Sequence, residues 1–252
     1  MLLNKIGKLY HIRIIIVVLA MFFCTVITAT PVLAVAVIPI KLDGQFNDWY
    51  GRMNVTDPTG DATVPGGDIT AFYWANNPND NNCYWMLQRV TSQLNVGYIV
   101  YFDANNNGNY NEHIDRVVCV NHNPQNNNSN VTVDVRYADT WQLISESKNN
   151  NWGESKNNGA SKVEFGASFA DLGFGTGQTI RMYAVSFVSQ SGGDVDLTNK
   201  SQLPNPTDRV PDNGDIQWSP IPLLGYPLLI VVAVGGILLI WYFKGRHMWH
   251  SA

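Results

Sequence analysis

Between residues 69 and 188 the chain keeps returning to one pattern: a short run rich in Val, Ile, Tyr and Phe, then a cluster of Asn, Gly, Asp or Pro. Runs of this length and composition read as β-strands, and the clusters between them as turns. Strands are expected at 69–75, 84–90, 97–102, 116–120, 131–137, 141–145, 162–169 and 179–188. No segment carries a helical apolar period, and a single turn is expected at Phe169–Leu172. Many short strands joined by turns argue for an all-β sandwich. The domain expected at 35–220 is large enough to build its own core.

Both ends of the chain differ from this middle. Residues 1–34 combine Lys5, Lys8 and Arg13 with an apolar stretch at 14–28 and a Val32-Leu33-Ala34 end, the layout of a secretory signal peptide. An uncleaved signal anchor is the alternative. Residues 223–243 form a charge-free apolar run, long enough for a C-terminal transmembrane helix. Lys244 and Arg246 follow at once, so a tail at 244–252 is expected in the cytoplasm. The reading is a single-pass cell-membrane protein whose 35–220 domain lies outside.

Charge supports that division. All 20 Asp and Glu lie within the span Lys41–Asp215, which has only 11 of the 16 Lys and Arg and a formal charge of −9. A domain this acidic lacks the basic patch that nucleic acid requires. It suits divalent cations instead.

Two acidic stretches have the spacing of cation ligands. The run at 98–102 leads into Asp103-Ala-Asn105-Asn-Asn107-Gly108-Asn109, whose oxygens alternate as in the first half of a calcium loop. An EF-hand would end on Glu at the twelfth position, which here is Ile114. The expected ligands are therefore Asp103, Asn105, Asn107, Asp115 and the carbonyl of Asn109, on a β scaffold. An ion-free Asn/Gly turn is the alternative. Asp57, Asp61 and Asp68 form a second cluster, whose like charges would repel without a cation among them.

The landmarks fall in a familiar order. Ile40-Lys-Leu42-Asp43-Gly44-Gln-Phe46-Asn-Asp48-Trp49 resembles the opening of family 9 carbohydrate-binding modules and their DOMON-like relatives. Asp57-Pro-Thr-Gly-Asp61 with Gly67-Asp68-Ile69 is similar to a second motif of that group, and 98–115 to a third. Val163-Glu164-Phe165 with Phe169-Ala-Asp-Leu172-Gly173 resembles its late strand, although Gly166, Ala167 and Ser168 stand where it has proline. Asp208-Arg-Val-Pro211 resembles its closing segment. The resemblance covers Ile40 to about Trp218. It implies a jelly-roll-like sandwich with structural calcium and, less directly, polysaccharide binding.

Sugar binding needs exposed aromatic faces, and Trp141 and Trp152 are the expected ligand contacts. Trp49, Trp74 and Trp85 are expected in the core. DOMON relatives that hold haem need axial ligands, for which Met53, Met86, His113 and His122 are the candidates here. Neither Gly-x-Ser-x-Gly nor His-Glu-x-x-His occurs, and the acid pairs fall in turns, so an enzyme is not expected. Cys83 and Cys119 are bridged or are two buried thiols, depending on strand order. The expected function is a membrane-anchored, calcium-binding, carbohydrate-binding-like surface module. The alternative is a structural or adhesion element without a small ligand.

Overall fold

The computed structural model describes residues 38–220, apart from 78–79, 125–129, 149–151, 156–158, 176, 190–192 and 194. The expected signal segment, the expected span at 223–243 and the tail at 244–252 lie outside the described residues. Among the described residues no helix is long and apolar enough to cross a membrane. The chain divides into two compact units, Met1–Ile38 and Pro39–Ala252, and the description below concerns the second.

Among the described residues twelve strands make two antiparallel sheets. One has the order β1 (Met53–Thr56), β2 (Ile69–Asn76), β3 (Asn82–Arg89), β9 (Lys162–Ser168), β8 (Trp152–Gly153). The larger runs β11 (Asp208–Val210), β10 (Ile180–Val188), β4 (Val96–Asp103), β5 (Arg116–Asn123), β6 (Asn130–Tyr137), β7 (Leu143–Lys148). Strand β12 (Ile216–Trp218) also pairs with β10, beyond β11. Each sheet is a meander plus a returning strand, β9 joining β3 and β10 joining β4. The all-β expectation holds.

The expected strands are found, with one shifted. The run expected at 141–145 is a strand only from Leu143, because Trp141 adopts φ +61 and turns out of the sheet. Strands β1, β8, β11 and β12 have four residues or fewer and carry no periodic signal of their own. The expected turn is a short helix, α1 (Phe169–Leu172). Ser168 caps it by accepting from Asp171 N, and Gly173 ends it at φ +75, a conformation glycine adopts without a steric penalty.

Between the sheets lies a core that includes Phe72, Trp85, Leu87, Val100, Phe102, Phe165 and Ile180. Two further clusters cover the outer faces. Ile40 and Trp49 pack on Ala75 and Met86 of the smaller sheet. On the larger sheet Trp141, Val195 and Leu197 cover Ile99, Val117, Cys119 and Phe187. Cys83 belongs to the inner core and Cys119 to the outer cluster; both are buried and free.

The N-terminal cover is pinned by Glu164 of β9, which is fully buried. Its Oε1 accepts from Asp43 N (2.8 Å) and Gly44 N (2.7 Å), and its Oε2 from Trp49 Nε1 (2.8 Å).

Candidate metal centre

Strand β4 delivers Asp103, fully buried, to the head of the Asn-rich loop. Its Oδ1 accepts from Asn107 N (3.2 Å) and its Oδ2 from Gly108 N (2.7 Å). Asp115, equally buried, accepts from Ala104 N (3.2 Å) and Glu112 N (2.9 Å). The side-chain amides of Asn105 and Asn107 both donate to Glu112 Oε2. Asn109 turns its side-chain oxygen to Asn111 N (3.2 Å). Asp103, Asn105, Asn107, Asn109 and Asp115 thus all lie in, or at the head of, the loop that follows β4. Amides of the loop itself donate to these side-chain oxygens.

The other acidic group is larger than the spacing implied. Asp57 follows β1, and its N donates to Thr70 O (3.0 Å) on β2. The turn to Asp61 passes through Gly60, at φ +95, whose N donates to Asp68 Oδ2 (2.6 Å). From the far end of the chain come Asp208, at the head of β11, and Asp212, just past it. One carboxylate oxygen from each of Asp57, Asp61, Asp208 and Asp212 lies within 4.8 Å of the others.

Hydrogen bonds hold the two sources together. Thr63 N donates to Thr207 O (3.0 Å), and Ile69 N donates to Asp208 Oδ2 (2.6 Å). Arg209 does not neutralise the cluster. Its guanidinium donates to the carbonyls of Pro211 and Gly214 and to Asp215, and it lies 4.3 Å above the Tyr183 ring. It therefore braces the turn that presents Asp212.

Electrostatics show what this proximity costs. Burial, then the charges of Asp208, Asp212, Asp61 and Asp68, push the Asp57 carboxyl up to about 7. Asp208 rises to about 6 through burial first, against two backbone N–H bonds that favour its charged form. Asp57 Oδ2 and Asp68 Oδ1 are buried with no hydrogen-bond partner. Converging carboxylates without a counter-charge are what a bound cation relieves.

Asp57 and Asp61 thus stand where the sequence suggested a site. Asp68 sits behind them, 2% exposed, and orients Gly60 rather than completing the four. Asp208 stood in a recognised segment without a ligand role, and Asp212 carried no local signal. The register of β11 on β10, together with the Thr63–Thr207 and Ile69–Asp208 bonds, brings them to Asp57 and Asp61.

The expected sugar contacts do not share a face. Trp141 is 6% exposed and its Nε1 donates to Leu197 O (3.1 Å), so it belongs to the outer cluster and offers no open ring for stacking. Trp152 is half-buried at the edge of the other sheet, beside Gly44. The haem candidates also scatter. Met86 packs outside the smaller sheet, whereas His122 is buried, His113 stacks on Tyr137 and Met53 is exposed. No family model, no curated protein and no solved structure matches this chain.

Proposed function

We propose that the domain is a cation-stabilised β-sandwich in which Asp57, Asp61, Asp208 and Asp212 hold one calcium ion. The observation that carries this reading is the convergence of four carboxylates from the two ends of the domain, with Arg209 turned away. An oxygen-only donor set selects a hard cation, and a partly exposed, loop-borne site suits the flexible coordination of calcium better than the strict octahedron of magnesium. Asp103, Asn105, Asn107, Asn109 and Asp115 offer a second, weaker site.

Only the folded chain assembles these oxygens, so calcium should raise the melting temperature by mass action. Melting of the purified chain in calcium and in chelator tests this. Asp212→Asn, an exposed substitution, should remove most of the increment. Identical midpoints for the native chain would refute the reading.

The biological role that fits best is a surface module, not an enzyme. The signal-like start and the apolar run at 223–243 support display outside the cell membrane on one C-terminal span. The burial of Trp141 favours a structural or adhesion role over polysaccharide binding. Tyr50, 94% exposed, gives a site for an epitope that external protease should reach on intact cells. Protection of that epitope would reverse the topology.

A further inference from the structure

We propose that the end of the sandwich carrying the Asn-rich loop rests on the phospholipid headgroups of the bilayer, with Ile114 and Leu143 as its apolar contacts. The inference rests on the single C-terminal span read above from the apolar run at 223–243, and adds which face of the domain the lipid meets.

Strand register gathers this end. Phe102 lies opposite Arg116 and Met182, Arg116 opposite Tyr137, Arg136 opposite Leu143, and Ile180 opposite Trp218. The last residues of β4, β6 and β12 are therefore level with the first of β5, β7 and β10. The smaller sheet joins them there. Arg116 Nε donates to Asp171 O of α1 (3.0 Å), and Phe169 N donates to Asn81 O (2.7 Å) between β2 and β3.

The chain leaves the domain at this end and is tied to it. Pro220 O accepts from Gly177 N (2.8 Å), and the hydroxyls of Ser219 and Thr179 lie 2.7 Å apart. Gln178 Nε2 donates to Ala104 O, and Ala104 N donates to Asp115 Oδ1 (3.2 Å), which fastens the exit to the base of the Asn-rich loop. Leu223, where the apolar run begins, is three residues beyond Pro220, a reach of at most about 10 Å. The headgroup layer outside the hydrocarbon core is itself about 5–7 Å thick. Pro220 is thus held within a few ångströms of the headgroups.

The side chains on this end suit that position. Ile114 is 43% exposed and Leu143 44%. Single apolar side chains on a protein surface need no partner, but beside the exit they have lipid to enter. Exposed Asn109, Asn111 and Thr140 carry donors for phosphate oxygens, and Lys200 Nζ, bonded to Asn111 Oδ1, adds a cation. The acids here are answered within the protein, Asp139 by His113 (3.1 Å) and Glu112 by the amides of Asn105 and Asn107. At the opposite end the loop 124–130 reads Pro-Gln-Asn-Asn-Asn-Ser-Asn and has no large apolar side chain to insert.

The test uses the full chain in phosphatidylcholine vesicles in which part of the lipid carries a nitroxide on its headgroup. Single fluorophores are placed at Ile114→Cys, Leu143→Cys or Thr91→Cys in a Cys24→Ser background, since Cys83 and Cys119 are buried. Thr91 is exposed and precedes β4, whose eight residues separate it from the loop by about 25 Å. Nitroxide lipid should remove most of the emission at 114 and 143 and leave that at 91 unchanged. Equal quenching at 91 and 114, or none at 114, in a chain that resists carbonate extraction would overturn the proposal and leave the span intact. A chain that carbonate strips from the vesicles would overturn the span, and the proposal with it.

Discussion

Glu164 shows how one buried side chain can set a pH dependence. Its carboxylate takes three N–H donors, which favour the charged form, yet burial outweighs them and raises the group to about 7 from an ordinary 4.5. Between those values the folded chain keeps a proton that the unfolded chain has released. Its contribution to stability is therefore fully present below about 4.5, declines as pH rises, and adds no slope above about 7. Glu164→Gln should flatten that slope in denaturation midpoints measured from pH 5 to 8. It should also cost about 1–3 kcal/mol, because the amide turns an N–H toward Trp49 Nε1 and leaves a buried donor unpaired. Gly153 gives a steric counterpart. A Cβ there would lie 2.4 Å from Nε2 of the buried His122, so Gly153→Ala should destabilise by about 1–3 kcal/mol in the same assay.

Among the elements, strands of six residues or more were legible because burial writes itself into their composition. The run at 97–102 is apolar at almost every position and is buried on both faces as β4. Pieces such as β8 and β12 were not legible, since two or three residues cannot show a period and their pairing is decided by distant partners. The same reason hid Asp212, whose meaning depends on a register formed far from Asp57. The burial of Trp141 was not legible either, since it depends on a positive φ that turns the ring under the 195–203 stretch. Trp141→Ala should cost about 3–5 kcal/mol in urea unfolding. A solvent-facing sugar platform would leave the midpoint nearly unchanged.

For the whole molecule, the acidic cluster joins the first strand of the sandwich to the last strands, β11 and β12, which pair in turn with β10. Asp57 and Asp61 follow β1 of one sheet, and Asp208 and Asp212 flank β11 of the other. A cation there cross-links the sheets as well as the chain ends. Chelation should therefore loosen β11 and β12 before the inner core, seen as faster amide exchange at 208–218 while β4 and β5 stay protected. Uniform loosening would show that the ion has no local role.

The two outer clusters have a consequence for how such a sequence can drift. An antiparallel sheet in a two-layer protein usually has one wet face, and every second residue is then free to vary. Here Trp49 and its neighbours cover one sheet, and Trp141 with Leu197 covers the other, so β4 is confined at odd and even positions alike. A saturation scan along Val96–Asp103 should show intolerance without alternation. Change would then gather in the Asn-rich turns, and relatives of this chain would share its strands while differing in nearly everything between them.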